Sequence, residues 1–248
     1  MLGGLKEGFL KLIFPHNCLT CRNHIPTDNP TDVLCQGCLT AIQANVPPFC
    51  RRCSRHLEEH FKPGLCAVCA TTELYFDRAW AASEYDDFMK KLIHLFKYGQ
   101  KTSLRILLSQ LVFSFLKAYQ IDIGHYDVLV PVPLHPTRYR ERGYNQAELI
   151  ASVISQTLAI PLLPQNLLRC RHTQNQARIG RKERWTNIQG AFTIRHSKKF
   201  LNRRVLLIDD LLTTGATASE AARVLKETGA ARVDVVTVAI ASKKHLFD

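Results

Sequence analysis

An α/β fold with a mainly parallel sheet, preceded by a small cysteine-rich module, is the fold class that three features of this 248-residue sequence predict. Strand-like and helix-like segments alternate in the last two thirds of the chain. One apolar strand, VLLIDD, runs into the turn LLTTGAT. Eight of the nine cysteines form four Cys-x-x-Cys pairs before residue 70. The length accommodates one full α/β domain and a smaller module, and the expected division is 1–75 and 76–248.

The pairs are Cys18/Cys21, Cys35/Cys38, Cys50/Cys53 and Cys66/Cys69. Each sets two thiolates on one side of a tight knuckle, and two knuckles close a tetrahedral site for a soft-ligand ion such as zinc. Thirteen residues separate the knuckles in the first half and twelve in the second. That near-equal spacing predicts tandem zinc ribbons, Cys18-Cys21-Cys35-Cys38 and Cys50-Cys53-Cys66-Cys69, with one or two ions and a cross-braced pairing as the alternative. Disulfides would need an oxidising compartment, for which the chain shows no export signal. Iron-sulfur clusters would use the same thiolates, although the even pairing suits ribbons better. A site filled by four protein ligands has no open position, so its metal holds the fold and does no chemistry. His16, His24, His56 and His60 read as surface residues. The surrounding NHIPTDNPTD and NVPPF lack apolar periodicity, so the module depends on its metal.

In the larger part, DFMKKLIHLFKYG has helical spacing, with Phe88, Leu92, Leu95 and Phe96 on one face. TSLRILLSQLVFSFLKAYQ continues as a second, more apolar helix. YDVLVPVPLHPTRYRERGYNQ reads as a short strand ended by prolines, then a basic loop, and AELIASVISQTLAI is the helix that follows. The last third repeats the pattern in RRVLLIDDLLTTGATASEAARVLKETGA, and ARVDVVTVAIA closes the chain as a buried strand. Such alternation predicts parallel strands joined by right-handed crossovers.

The turn after VLLIDD carries most of the chemistry. Thr213, Thr214, Gly215, Ala216 and Thr217 lie between a strand's carboxyl end and a helix's amino end, where backbone N–H groups and the positive end of the helix dipole attract phosphate. Three threonine hydroxyls add donors, and Gly215 lets a ligand approach the backbone closely. Asp209 and Asp210 stand just before the turn. An acidic pair beside a phosphate cradle is counterproductive unless the ligand also presents ribose hydroxyls or a magnesium ion.

The formal charge is +12, from 33 Lys and Arg against 21 acids. Between Arg138 and Arg204, fourteen basic residues face three acids, Glu141, Glu148 and Glu183, so 14 − 3 = +11 falls on that stretch. Such a field draws polyanions, nucleic acid or a pyrophosphate group. No run approaches the roughly 18 to 20 apolar residues of a membrane-spanning helix. A soluble, cytoplasmic protein without membrane insertion is therefore expected.

VLLIDDLLTTGAT closely resembles the phosphoribosyl-pyrophosphate (PRPP) signature of type I phosphoribosyltransferases, a Rossmann-like fold. Taken with the four knuckles, PVPLHPTRYRERGYNQAEL and TQNQARIGRKERWTNIQGAF, the whole chain resembles the ComF family of competence-associated proteins, of ComFC and GntX type. The resemblance implies that Asp209 and Asp210 accept the ribose hydroxyls of PRPP and that Thr213 to Thr217 wrap its 5-phosphate, with magnesium bound alongside. It makes Arg138, Arg142 and Asn145, after Pro131-Val132-Pro133, candidates for diphosphate contact, for which arginine's planar fork is suited. Thr173 to Asn187 would be a hood over the reacting site, with Gln176, Arg184 and Asn187 matching the family's pattern and Ile179 replacing its usual leucine; Arg184 is taken as catalytic. Lys97-Tyr98-Gly99 also resembles a family motif, without a derivable role.

Three functions follow. The first is an enzyme that transfers the phosphoribosyl group with release of pyrophosphate, in DNA uptake or nucleotide salvage. The second is a zinc-ribbon accessory protein that binds single-stranded DNA beside DNA-uptake machinery, with PRPP or a nucleotide as regulator. The third is a PRPP-sensing transcriptional regulator. Cys170, the unpaired cysteine, is expected to be a small buried residue.

Overall fold

Among the described residues the apolar runs form six strands: β1 (Arg78–Glu84), β2 (Val128–Pro131), β3 (Leu167–Arg169), β4 (Phe192–Ile194), β5 (Arg204–Leu212) and β6 (Arg232–Ile240). Four of them build a sheet in the order β1-β6-β5-β2, parallel throughout. In the computed structural model, residues 17–26, 29–57, 64–171 and 181–242 are described. The chain divides into two compact units, Met1–Gln43 and Ala44–Asp248.

In the smaller unit the first two knuckles and helix α1 (Gln36–Thr40) surround Leu34 and Ile25, its buried side chains outside the cysteines and Thr20 among the described residues. Backbone bonds from Cys18 N to Asn23 O (2.8 Å) and Leu19 N to Val33 O (2.9 Å) fold the segment on itself.

The larger unit includes the second pair of knuckles, which the sequence groups with the first. Cys50, Cys53, Cys66, Leu57, Val68, Leu74 and Phe76 pack in the same apolar cluster as Val205 and Leu207 of β5 and Val233 and Val235 of β6. Helix α2 (Ala67–Thr71) follows the fourth knuckle. Helix α3 spans Asp87–Tyr98 and is capped by Asp86, whose carboxylate accepts from Met89 N at 2.8 Å. Met89, Leu92, Ile93 and Phe96 form its buried face, while Phe88 and Leu95 stay half-covered, so the apolar stripe is rotated from the expected one. α4 (Leu104–Ala118) and α6 (Gln146–Leu158) cover one face of the sheet. α8 (Ala216–Glu227), the antiparallel β3–β4 pair and the second knuckle pair cover the other.

The stretch read as a basic loop contains a helix, α5 (Pro136–Arg142). Pro136 is preset for the first helical position, the His135 ring accepts from Thr137 N, and Gly143 ends the helix at φ 82°. α7 spans Arg181–Ile188. β1, in the segment FDRAWAASEYDD, and the β3–β4 pair were not expected as strands; five of the seven β1 residues are buried, so no alternation marks it.

Register decides what the sheet leaves open. β2 stops at Pro131, level with Ile208, whereas β6 runs beside β5 as far as Leu212. Asp209 and Asp210 therefore emerge past the end of β2, at the carboxyl edge where open parallel sheets hold their ligands.

Candidate functional site

The sulfurs of Cys18, Cys21, Cys35 and Cys38 all lie within 4.8 Å of one another, and so do those of Cys50, Cys53, Cys66 and Cys69. Cys21 Sγ to Cys35 Sγ and Cys53 Sγ to Cys66 Sγ are each 3.6 Å. A tetrahedron with zinc–sulfur bonds of about 2.3 Å needs sulfurs about 3.8 Å apart, so both sets fit zinc. The pairing is sequential, and the cross-braced alternative does not occur. None of the nine cysteines is in a disulfide. His24 and His56 are exposed, as expected, and His16 and His60 fall outside the described residues.

At the sheet's carboxyl edge, Asp210 is buried and forms an ion pair with Lys97 in the last turn of α3, Nζ to Oδ2 2.5 Å. Lys97 was the unexplained member of Lys97-Tyr98-Gly99. Burial alone would weaken its ammonium, but Asp210 holds its pKa above the ordinary value. Asp209 is raised to about 8, first by burial and then by the charge of Asp210, with Lys97 opposing. Asp210 N donates to Asp209 Oδ1 at 2.9 Å, which holds the pair in one geometry. Tyr85, at the end of β1, lies in the same field; burial raises its phenol and Lys97 opposes.

The turn behind the aspartates has the shape its sequence requires. Gly215 sits at φ 82° and opens α8, and Thr214 Oγ1 accepts from Ala216 N at 3.3 Å. A Cβ on Gly215 would meet only Phe76 and Leu74 at 3.6–3.7 Å, so backbone conformation and not space demands glycine. Thr213, Thr214, Ala216 and Thr217 flank it, with the first-turn amides of α8 beyond the reach of intrahelical acceptors.

Of the basic candidates, Arg142 ends α5, where its Nη1 donates to Gln146 Oε1 at 2.6 Å and its guanidinium lies 4.8 Å from the Tyr98 ring centroid. Its charge is felt at Lys97, so α5 and α3 meet near the aspartates. Arg138 acts on Arg169, whose pKa is lowered by burial first, with Asp209 opposing. Arg169, on β3, is thus a further cation within electrostatic range of Asp209, at a position that sequence patterning did not mark. Asn145 is buried: its Oδ1 caps α6 through Ala147 N (3.1 Å) and its Nδ2 donates to Val132 O (3.1 Å). It fixes the Pro131-Val132-Pro133 turn. The hood segment lies mostly outside the described residues, Gln176, Ile179 and the Arg184 side chain included. Asn187 is on α7, and its carbonyl accepts from Arg171 Nη2 at 2.9 Å. Cys170 is exposed, because it follows the last residue of strand β3; its thiol donates to Ala191 O at 3.4 Å.

Two family models match this chain: the double zinc ribbon domain over residues 9–71 and the phosphoribosyl transferase domain over residues 144–247. Competence protein F of Haemophilus influenzae is 31% identical over 229 residues, 90% of this chain and 96% of that protein. Competence protein ComFC of Bacillus subtilis is 30% identical over 237 residues, 90% of this chain and 92% of that one. DNA utilization protein YhgH of Escherichia coli is 26% identical over 226 residues, 90% and 96% respectively. Among the described residues no helix is long and apolar enough to cross a membrane.

Proposed function

The chain belongs to the ComF family of competence-associated proteins, and on that premise we propose that the turn between β5 and α8 binds PRPP with magnesium for phosphoribosyl transfer. The observation that carries this is the convergence of Asp209, Asp210 and Lys97 beside a Gly215-opened helix start. Two carboxylates serve ribose hydroxyls, the helix start serves phosphate, and Lys97 holds Asp210 in place through their ion pair.

Asp209 and Asp210 accept hydrogen bonds from the ribose hydroxyls, and the amides of Thr213 to Thr217 hold the 5-phosphate. An acceptor lone pair forms the new bond at the anomeric carbon while the bond to the diphosphate oxygen breaks, and pyrophosphate leaves with that electron pair. Arg138, Arg142 and Arg169 offset the charge that develops on the departing group. Magnesium, when bound with the ligand, neutralises diphosphate oxygens and orients them. Arg184 on α7 is proposed to act at the reacting centre as the hood excludes water.

Calorimetric titration of magnesium and PRPP into the zinc-loaded protein tests this reading. Saturable binding that disappears in a folded Asp209→Asn/Asp210→Asn variant supports it, and a screen of acceptors for pyrophosphate release then follows. Absence of binding to the wild type ends it.

A second reading has its own support in the stretch of +11 and in relatives named for competence and DNA utilization. Here single-stranded DNA binds the basic face, PRPP or a nucleotide regulates, and DNA-uptake proteins are partners. Its measure is the salt dependence of binding a single-stranded oligonucleotide, where each phosphate contact contributes about −0.7 to the log–log slope.

A further inference from the structure

Arg55 lies two residues past Cys53, at the close of the third knuckle, and is 5% exposed. Its guanidinium touches three separate parts of the larger unit. Nε donates to Ala241 O at 2.9 Å, just past the end of β6; Nη2 donates to Thr213 O at 2.7 Å, at the start of the phosphate turn; Nη1 lies 3.8 Å from Cys66 Sγ. Its own carbonyl accepts from Cys50 N at 2.8 Å, so its backbone belongs to the knuckle. The knuckle is in turn pinned to β1, with Ala81 N donating to Ser54 Oγ (2.9 Å) and Ala79 N to Arg52 O (2.7 Å).

A buried guanidinium needs compensating charge. Among the described residues Arg55 has no carboxylate in ion-pair range, and its partners are two carbonyls and a cysteine sulfur. Four thiolates around a divalent ion carry a net excess of negative charge. That excess stays beside Arg55 only while the metal holds the second cluster together. We propose that Arg55 is a positioning residue that couples metal occupancy at Cys50-Cys53-Cys66-Cys69 to the conformation of the phosphate turn at Thr213. The proposal rests on the reading that this turn holds phosphate. The metal fixes the two knuckles, the knuckles fix Arg55, and Arg55 fixes the carbonyl from which the turn begins. Coupling is reciprocal, so a phosphate ligand in the turn tightens the metal by the same factor.

The test uses the full-length zinc-loaded chain with Arg55→Met and Arg55→Lys, the lysine variant serving where the methionine variant fails to fold. Hydrogen–deuterium exchange of residues 211–219 is followed in the ligand-free protein before and after chelator treatment, with α6 as internal control. The expected result is that chelation speeds exchange in the turn at least about fivefold, the lower end of coupling between sites, and leaves α6 protected. In the Arg55 variants the turn exchanges fast from the outset and chelation adds nothing. Zinc release to a chelating dye, with and without ribose 5-phosphate, gives the reciprocal arm: the sugar phosphate slows release from the wild type and not from the variants. Turn exchange that ignores the metal, exchange that rises equally in α6, or variants that behave as wild type overturn the coupling. Failure of ribose 5-phosphate to bind the wild type overturns the phosphate reading instead, and the exchange arm still judges the coupling.

Discussion

Replacing Lys97 by methionine removes the cation that faces Asp210 while keeping most of the apolar stem. The carboxylate left behind is 8% exposed at its side chain and already stands beside Asp209, whereas Lys97 is 23% exposed. Removing one partner of a buried ion pair typically costs about 3–5 kcal/mol. Water reaches the Lys97 end, so the lower limit applies, and Lys97→Met is expected to lose about 3 kcal/mol at pH 7. Asp209 also loses the positive charge that pulls its pKa down, so it takes up a proton more readily and becomes a poorer acceptor for ribose hydroxyls. Urea denaturation of the zinc-loaded protein measures the first effect, and titration with PRPP the second. Lys97→Met/Asp210→Asn is expected to recover about 2 kcal/mol of the loss, because the isolated charge is gone. A single-variant loss below about 1 kcal/mol, or strict additivity in the double variant, refutes the argument that the Lys97–Asp210 ion pair is energetically coupled.

Gly215→Ala places a side chain at φ 82° with room for its Cβ, so it is expected to cost about 1–2 kcal/mol in backbone strain and to weaken PRPP binding more than it lowers thermal stability; equal affinity in calorimetry contradicts this. Asp209 is raised to about 8 in the folded protein against about 3.9 for an unfolded carboxyl. Its contribution to stability is therefore complete below about pH 4 and falls as pH rises toward 8, and ribose binding at pH 7 releases a proton. Calorimetry in two buffers of different ionisation enthalpy detects that proton, which is lost in Asp209→Asn. Metal analysis is expected to find two zinc ions per chain. Cys21→Ser/Cys38→Ser is expected to lose one ion and leave PRPP affinity unchanged, since those ligands belong to the other compact unit; a large loss of affinity would count against that independence.

The knuckles and the turn were legible because each is a local pattern whose chemistry follows from residue type and spacing. Cys-x-x-Cys and Asp-Asp before Thr-Thr-Gly carry their geometry in a few consecutive residues. Lys97 and Arg169 were not legible as site members, because each arrives from a distant element, Lys97 from the end of α3 and Arg169 from β3 of the separate two-stranded sheet, and only tertiary packing brings them towards the Asp209-Asp210 pair. Lys97-Tyr98-Gly99 stood out as a motif, yet its role depends on where α3 ends relative to β5. Arg55 sits among many arginines, and its reach to Thr213 spans 158 residues of chain. Asn145 shows a role that spacing did not announce, since its amide serves two backbone groups and holds the segment after Pro131-Val132-Pro133. α5 was hidden by its charge, since four of its seven residues are ionisable Arg or Glu and no apolar stripe announces it.

A crystal structure of the zinc-loaded protein soaked with magnesium and PRPP tests the central claim most directly. The account predicts the 5-phosphate on the amides of Thr213 to Thr217 and the ribose hydroxyls on Asp209 and Asp210. A phosphate held only by the arginines of α5 and β3, with the turn empty at saturating ligand, would contradict it.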